Sequence, residues 1–134
     1  MIAVDTSVAV AAFASWHEDH ALALTAMQRG PRLIAHVALE TFSVLTRLPV
    51  PHRAPAGIAV QYLQRNFADP VLGLPSSRYP RLLSECAAAG VIGGAVYDAF
   101  IAATARHAGA TLWTIDRRAI PSYEWIGAKV RFLG

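Results

Sequence analysis

Acids that directly follow short apolar segments are the residues of this sequence best suited to chemistry. Asp5 follows residues 2–4, and two hydroxyl residues come after it. In an open parallel sheet ligands bind beyond the carboxyl ends of the strands, so an acid at this position faces the ligand crevice. Asp5 could instead serve only as the N-cap of a helix that begins at Thr6. Asp116 repeats the pattern, because it follows the apolar residues 111–115.

Two more acids lie in segments that are predicted to be helical. Asp98 has alanine, glycine or isoleucine on its own helix face, three, four and seven positions away. A charge among apolar neighbours is costly to remove from water, which favours a cavity, a cation or a partner opposite Asp98. Glu40 is predicted in the first turn of a helix over residues 37–48, where the helix dipole alone would also favour an acid.

Together these acids predict a site for hard metal ions. Carboxylate oxygens select Mg²⁺ or Mn²⁺, and no histidine or cysteine lies near them at zinc spacing. Clustered carboxylates raise one another's pKa, whereas one or two divalent ions relieve that repulsion, hold a phosphodiester and activate water. The set Asp5, Glu40, Asp98 and Asp116 therefore indicates a metal-dependent nuclease.

Two histidine-containing patterns offer rival metal ligands. Residues 16–20 contain two histidines and two acids, but adjacent positions on a helix point apart, so we expect a solvated helix start. His36 lies four residues before Glu40 on one helix face. A hard-metal site does not need imidazole, so we favour a capping or hydrogen-bonding role for His36.

The alternation of short apolar segments with helical patterns predicts an α/β fold in one domain, residues 1–134. We expect a central, mostly parallel sheet of four or five short strands flanked by helices. The expected strands are residues 2–4, 33–35, 71–74, 111–115 and 129–133. The expected helices are residues 6–15, 18–29, 37–48, 56–67, 75–89 and 95–109. Residues 117–122 are expected to form a turn or short helix, and residues 49–55 a rigid proline-rich loop whose role the sequence leaves open.

Composition limits the function classes. The chain has a net charge of +3, and Lys129 is the one lysine among twelve basic residues. This mild arginine-rich excess is compatible with a nucleic-acid partner. No apolar run approaches the roughly 18 residues that a membrane span needs, and no basic leader precedes an apolar segment, so we expect a cytoplasmic protein without membrane contact. Cys86, the one cysteine, is expected to be a buried helix thiol.

The sequence resembles PIN-domain ribonucleases, specifically the VapC toxins of bacterial toxin and antitoxin pairs. The resemblance rests on Val4-Asp5-Thr6-Ser7, Leu39-Glu40, the alanine-rich run from Tyr97-Asp98 to Ala105, and Leu112-Trp113-Thr114-Ile115-Asp116. It implies the PIN-like fold, with Asp5, Glu40, Asp98 and Asp116 binding Mg²⁺ or Mn²⁺ for catalysis and Ser7 and Thr114 supporting them. It also implies an endoribonuclease that inhibits translation by cutting tRNA or rRNA, a cognate VapB-type antitoxin and a homodimer.

Two alternatives to an active nuclease remain. The stronger is a catalytically inactive PIN-like module that binds RNA or protein, although the presence of all four acids argues against it. A phospho-receiver domain is a distant alternative, because the paired early acids and the late lysine of that class are missing.

Two expectations concern binding partners. We expect the first helices to offer an apolar groove to an antitoxin helix, lined by Val8, Val10, Phe13 and Trp16. Because no aromatic stacking platform is evident in the pattern, we expect recognition of RNA shape by arginines around the site.

Overall fold

Five parallel strands form the centre of the protein. In the computed structural model, which describes residues 1–134, their spatial order is β3-β2-β1-β4-β5. The strands are β1 (Ile2–Val4), β2 (Arg32–Ile34), β3 (Ala68–Leu72), β4 (Thr111–Thr114) and β5 (Lys129–Phe132). Every pairing is parallel. Sheets of this kind are covered on both faces, which explains why β1 and β4 read as apolar runs rather than as alternating patterns. The predicted α/β fold is confirmed.

Seven helices flank the sheet. They are α1 (Thr6–Phe13), α2 (His20–Met27), α3 (Ala35–Arg47), α4 (Ala56–Arg65), α5 (Tyr79–Ala89), α6 (Ala95–Ala108) and α7 (Ile120–Ile126). Single 3₁₀ turns at Ser76–Arg78 and Arg117–Ala119 precede α5 and α7. None of these helices combines the length and the apolar character required to cross a bilayer.

The core divides between the two faces of the sheet because successive strand residues point in opposite directions. Ala3 and Leu112 face the larger cluster, which contains 18 buried residues and includes the buried stripe of α6. Val4 and Trp113 face a smaller cluster, where they meet alanines of α1 and α2. Small side chains let these helices approach the short strands closely, so the carboxyl end of each strand is held in a fixed position.

The strand order places a topological switch point between β1 and β4. The chain moves outward from β1 to β2 and β3, and then returns across the sheet to β4 on the other side of β1. Ligands of open α/β sheets bind at such a point, outside the carboxyl ends of the two strands. Asp5 follows β1 and Asp116 lies two residues beyond β4, so both acids lie at this crevice.

Several predicted boundaries are wrong; α5, for example, begins at Tyr79 rather than at residue 75, because Ser76–Arg78 form a separate 3₁₀ turn. β3 begins at Ala68 and contains Pro70. It is an edge strand, and such a strand tolerates proline because the missing N–H group can lie on its unpaired side. α3 begins at Ala35, so Glu40 lies in the second turn and the helix dipole does not account for it. Residues 120–126 form a full helix, α7, where a turn or short helix over 117–122 was expected.

The main core cluster should respond strongly to loss of a fully buried leucine. Leu112→Ala leaves a cavity in β4, where the side chain has no exposed surface, and should lower the free energy of unfolding by about 2–5 kcal/mol. Leu83→Ala is the matched control, because Leu83 is 58% exposed on α5 and should change that value by less than about 0.5 kcal/mol. Urea denaturation measures both. Similar values for the two variants would contradict this assignment of the core.

Candidate active site

Asp5 is held at the end of β1 by hydrogen bonds to both carboxylate oxygens, and only 2% of its surface is exposed. Oδ1 accepts from the Ser7 hydroxyl at 2.5 Å and from the Val8 N–H at 3.2 Å. Oδ2 accepts from the Thr114 hydroxyl at 2.5 Å and from the Tyr123 hydroxyl at 2.9 Å. The bond from Val8 is a helix N-cap. Asp5 therefore caps α1 and lies at the ligand crevice at the same time.

The two hydroxyls predicted to support the acids are themselves oriented by the backbone of the segment after β4. Ser7 Oγ accepts from the Ile115 N–H at 3.2 Å, and Thr114 Oγ1 accepts from the Asp116 N–H at 2.9 Å. Each hydroxyl donates its one proton to Asp5. Burial raises the pKa of Asp5, and the four hydrogen bonds offset part of that rise. These hydrogen bonds favour the ionised form of Asp5, because the proton of a neutral Asp5 carboxyl would point at a group that donates to it.

Tyr123 is a site residue that the sequence analysis missed. Its side chain is 2% exposed, and burial together with the nearby negative charge of Asp5 raises the pKa of Tyr123 far above its usual value. The hydroxyl therefore keeps its proton and donates it to Asp5. The sequence does contain a signal for the helix that carries Tyr123. Pro121 suits the first turn of a helix, Gly127 suits its end, and Ile126 lies three residues after Tyr123 on the same face.

A cleft of about 490 Å³ opens beside this network, and we call it the acidic cleft. Six of the nine acidic residues of the chain line it, whereas no lysine or arginine does. The six are Asp5, Glu18, Asp19, Glu40, Asp98 and Asp116. Negative charge is thus concentrated at the switch point of a chain whose net charge is +3. All four acids singled out in the sequence contribute to this one cleft.

Asp98 experiences the concentrated charge most strongly. It lies in the first turn of α6, above the buried side chains of Ile101 and Ala102. Partial burial and then repulsion from Glu40, Asp116 and Asp5 raise the pKa of Asp98 from 3.8 to about 6. A carboxyl in this state is relieved by a cation, because a positive charge nearby lowers the free energy of its ionised form.

Glu40 approaches the cleft from α3 together with His36. The His36 Nε2 and Glu40 Oε1 atoms are 2.9 Å apart, although they are poorly aligned for a hydrogen bond. The imidazole of His36 stacks on the ring of Tyr97, with centroids 5.0 Å apart and planes within 5°. His36 Nε2 thus lies close to Glu40 without a hydrogen bond, so the favoured capping or hydrogen-bonding role of His36 is not confirmed.

The donor set fits a hydrated hard cation better than a fully dehydrated one. No group of three or more acid, histidine or cysteine side chains is positioned to hold a metal ion by itself. Mg²⁺ usually keeps several waters and binds through one or two carboxylates plus substrate phosphates, so it does not need such a group. Thr6 also lines the cleft, and its buried Oγ1 has no hydrogen-bond partner within the protein.

The segment between α1 and α2 contributes to the cleft in a way that the sequence did not predict. We expected residues 16–20 to form a solvated helix start, but α2 begins only at His20. The preceding residues form turns, so their side chains do not alternate around a helix. His17, Glu18 and Asp19 consequently face the same cleft. The Asp19 N–H donates to His17 Nδ1 at 3.0 Å and fixes this turn.

The groove expected on the first helices is not formed as predicted. Val8 has no exposed surface and belongs to the core, so it cannot contact a partner. Val10 lines the acidic cleft, and Phe13 packs edge-on against Tyr62 with ring centroids 5.2 Å apart. Of the four predicted side chains only Trp16 is well exposed, at 48%.

Comparisons with known proteins agree with this architecture. The family model of the PIN domain matches residues 2–124. The chain is 49% identical over 134 residues to "Ribonuclease VapC40" of Mycobacterium tuberculosis strain H37Rv, with 99% of both chains covered. It is 39% identical over 132 residues to "Ribonuclease VapC27" of the same strain, with 96% of this chain and 94% of that protein covered.

A solved structure shares the fold at lower sequence identity. The crystal structure of FitAcB from Neisseria gonorrhoeae superposes with a TM-score of 0.66 over 97% of this chain and 96% of that chain, at 19% identity. Family match, sequence similarity and fold therefore point the same way. The chain belongs to the PIN-domain family, among its VapC-type members.

Proposed function

We propose that the protein is a metal-dependent endoribonuclease toxin that hydrolyses phosphodiester bonds in structured RNA, tRNA or rRNA, and thereby inhibits translation. The observation that carries this proposal is the convergence of Asp5, Glu40, Asp98 and Asp116 on one cleft that no lysine or arginine lines. The similarity to two proteins that are named ribonucleases supports RNA as the substrate.

In this proposal the four acids are the residues that would hold Mg²⁺ or Mn²⁺. The bound ion would neutralise charge on the phosphodiester and lower the pKa of an attacking water. Asp5 is oriented by its hydrogen bonds and cannot turn away, whereas Asp98 and Glu40 are less buried and free to adjust. Ser7 and Thr114 act through Asp5, since both donate to its carboxylate.

The charge distribution supports a substrate that carries phosphates. The acidic cleft repels a phosphate backbone until a cation is bound, while eleven arginines and one lysine outside the cleft attract it. A folded RNA that presents an exposed loop would satisfy both requirements, because only the loop has to enter the cleft. Such RNAs are found in the cytoplasm, where we expect the protein to act.

Two protein partners belong to the proposal. A VapB-type antitoxin would neutralise the activity by covering the acidic cleft with a basic side chain. A second copy of the chain would form the homodimer that the family resemblance implies. Leu39 and Tyr97 are 70% and 55% exposed beside Glu40 and Asp98, and these apolar side chains are available to such a partner.

The central test is dependence on a divalent ion. Chelator should abolish cleavage of total tRNA and rRNA, and added Mg²⁺ or Mn²⁺ should restore it, because carboxylate oxygens are the ligands that line the cleft. Gel analysis of the RNA shows the outcome. Cleavage by wild type that persists in chelator would refute the metal hypothesis, provided that an identically made Asp98→Asn preparation is inactive. That control excludes a contaminating nuclease. Binding of RNA without cleavage under any metal would favour the inactive module.

Asp98→Asn should stabilise the protein in chelator at neutral pH. The folded pKa of about 6 exceeds the unfolded value of 3.8, so the stability due to this group is present at low pH and is lost as pH rises from about 4 to 6. The variant should therefore melt at a higher temperature than wild type at pH 7 and show no gain at pH 4. The exposed Asp69→Asn is the control and should follow wild type at both values. A lower melting temperature for Asp98→Asn at pH 7 would assign Asp98 a structural role.

Tyr123→Phe removes one donor from the buried Asp5 carboxylate. A hydrogen bond to a charged group contributes about 1.5–3 kcal/mol, so this variant should lose that much unfolding free energy and most of its ribonuclease activity. Tyr62→Phe is the matched control, because Tyr62 donates to the neutral Ala9 carbonyl at 2.7 Å and does not touch Asp5. It should lose about 0.5–1.5 kcal/mol and keep its activity. Equal loss of activity in both variants would refute the assignment of Tyr123 to the site.

A further inference from the structure

Three aromatic rings form a row that leads out of the acidic cleft. His17 lines the cleft, and its ring centroid is 6.1 Å from that of Trp16. Trp16 in turn is 4.1 Å from the ring centroid of His52, with the two planes 33° apart. The row therefore connects the catalytic acids to the proline-rich loop, two regions that are far apart in sequence.

The row is accessible along its outer part. Trp16 is 48% exposed although it is one of the largest side chains, and His52 is also exposed. Arg53 follows His52 in the sequence and donates from Nε to the Leu48 carbonyl at 2.9 Å, which restrains its guanidinium. Aromatic faces with a cation beside them are the combination by which proteins bind single-stranded nucleic acid.

We propose that His17, Trp16 and His52 form a stacking surface for one or two unpaired bases that flank the scissile phosphodiester of RNA. The inference rests on the proposed ribonuclease function and adds a base-binding element to it. It revises the expectation, drawn from the sequence, that no stacking platform exists. The sequence conceals the platform because His52 lies 36 positions after Trp16 and comes beside it only through the fold.

Continuity with the cleft favours RNA over a protein segment as the occupant. His17 lines the same cleft as the acids, and Trp16 lies beside His17, so a strand whose phosphate lies at the acids would extend its neighbouring bases toward the row. Stacking tolerates any base, since every base presents a π face, but purines offer the larger one. The row thus predicts a preference for unpaired purines beside the cut.

Binding to short RNA probes tests the row. The background is Asp98→Asn, so that bound RNA stays intact, in buffer that contains Mg²⁺. The probes are a fluorescent oligo(A) and an abasic ribose-phosphate strand of the same length and charge. Trp16→Ala should weaken oligo(A) binding at least about fivefold, the lower end of what one stacked base contributes, and should leave abasic binding unchanged. His52→Ala should weaken oligo(A) binding less than Trp16→Ala does, because it removes only the smaller ring that packs against Trp16.

Trp125 supplies the matched control. It is 44% exposed on α7 and does not line the cleft, so Trp125→Ala should bind both probes like the background protein. Tryptophan fluorescence gives a second measurement that needs no truncation of the ring. Oligo(A) should quench the emission of the background protein and of Trp125→Phe, and the quenching should disappear in Trp16→Phe.

The outcomes distinguish failure of the proposed stacking surface from failure of the proposed ribonuclease function. If the background protein binds RNA and Trp16→Ala binds oligo(A) equally well, the row is refuted while the ribonuclease proposal stands. Equal weakening of oligo(A) and abasic binding would show a general distortion of the site and would also refute the row. Loss of antitoxin co-purification, with RNA binding unchanged, would assign Trp16 to protein docking instead. No RNA binding by the background protein, together with no cleavage by wild type, would refute both proposals.

Discussion

The carboxylate of Asp5 imposes the strictest constraint on this structure, because it is a charge with almost no contact with water. Such a group is tolerated only when its oxygens are fully hydrogen-bonded. The donors come from α1, β4 and α7, so the ends of two neighbouring strands and a distant helix are fixed relative to one another. The acidic cleft lies on this framework. Its other acids are less buried; Glu40 and Asp98 lie on α3 and α6, and the rest lie outside the helices and strands.

The cleft combines a rigid acid with adjustable ones. Both oxygens of Asp5 accept hydrogen bonds from protein donors, whereas the pKa of Asp98 is raised by partial burial and by repulsion from neighbouring acids. This repulsion costs stability, and in the proposed function a bound cation would relieve it. The absence of arginine from the cleft is consistent with that proposal, because an internal positive charge would pair with the acids and compete with a metal ion.

Much of this arrangement follows from local sequence patterns. The alternation of short apolar segments with helical patterns predicts the α/β fold, and the strand-to-acid junction at Asp5 and the apolar helix face around Asp98 identify acids that line one cleft. Their catalytic role stays a prediction. Long-range pairings were not readable, which is why the hydroxyl of Tyr123 and the ring contact between Trp16 and His52 were missed. The turn at residues 17–19 was misjudged because helical spacing was assumed where α2 had not yet begun.

The sequence separations within the Asp5 network set the order in which the site can form during synthesis. Thr114 and Tyr123 lie 109 and 118 positions after Asp5. At about 5–20 residues per second, a ribosome needs roughly 6–24 s after Asp5 has been made to add the last of its partners. Until then the acid has only local donors and β1 lacks its neighbour β4. A nascent chain therefore carries no assembled cleft, and the Asp5 network closes only when nearly all of the chain has been made.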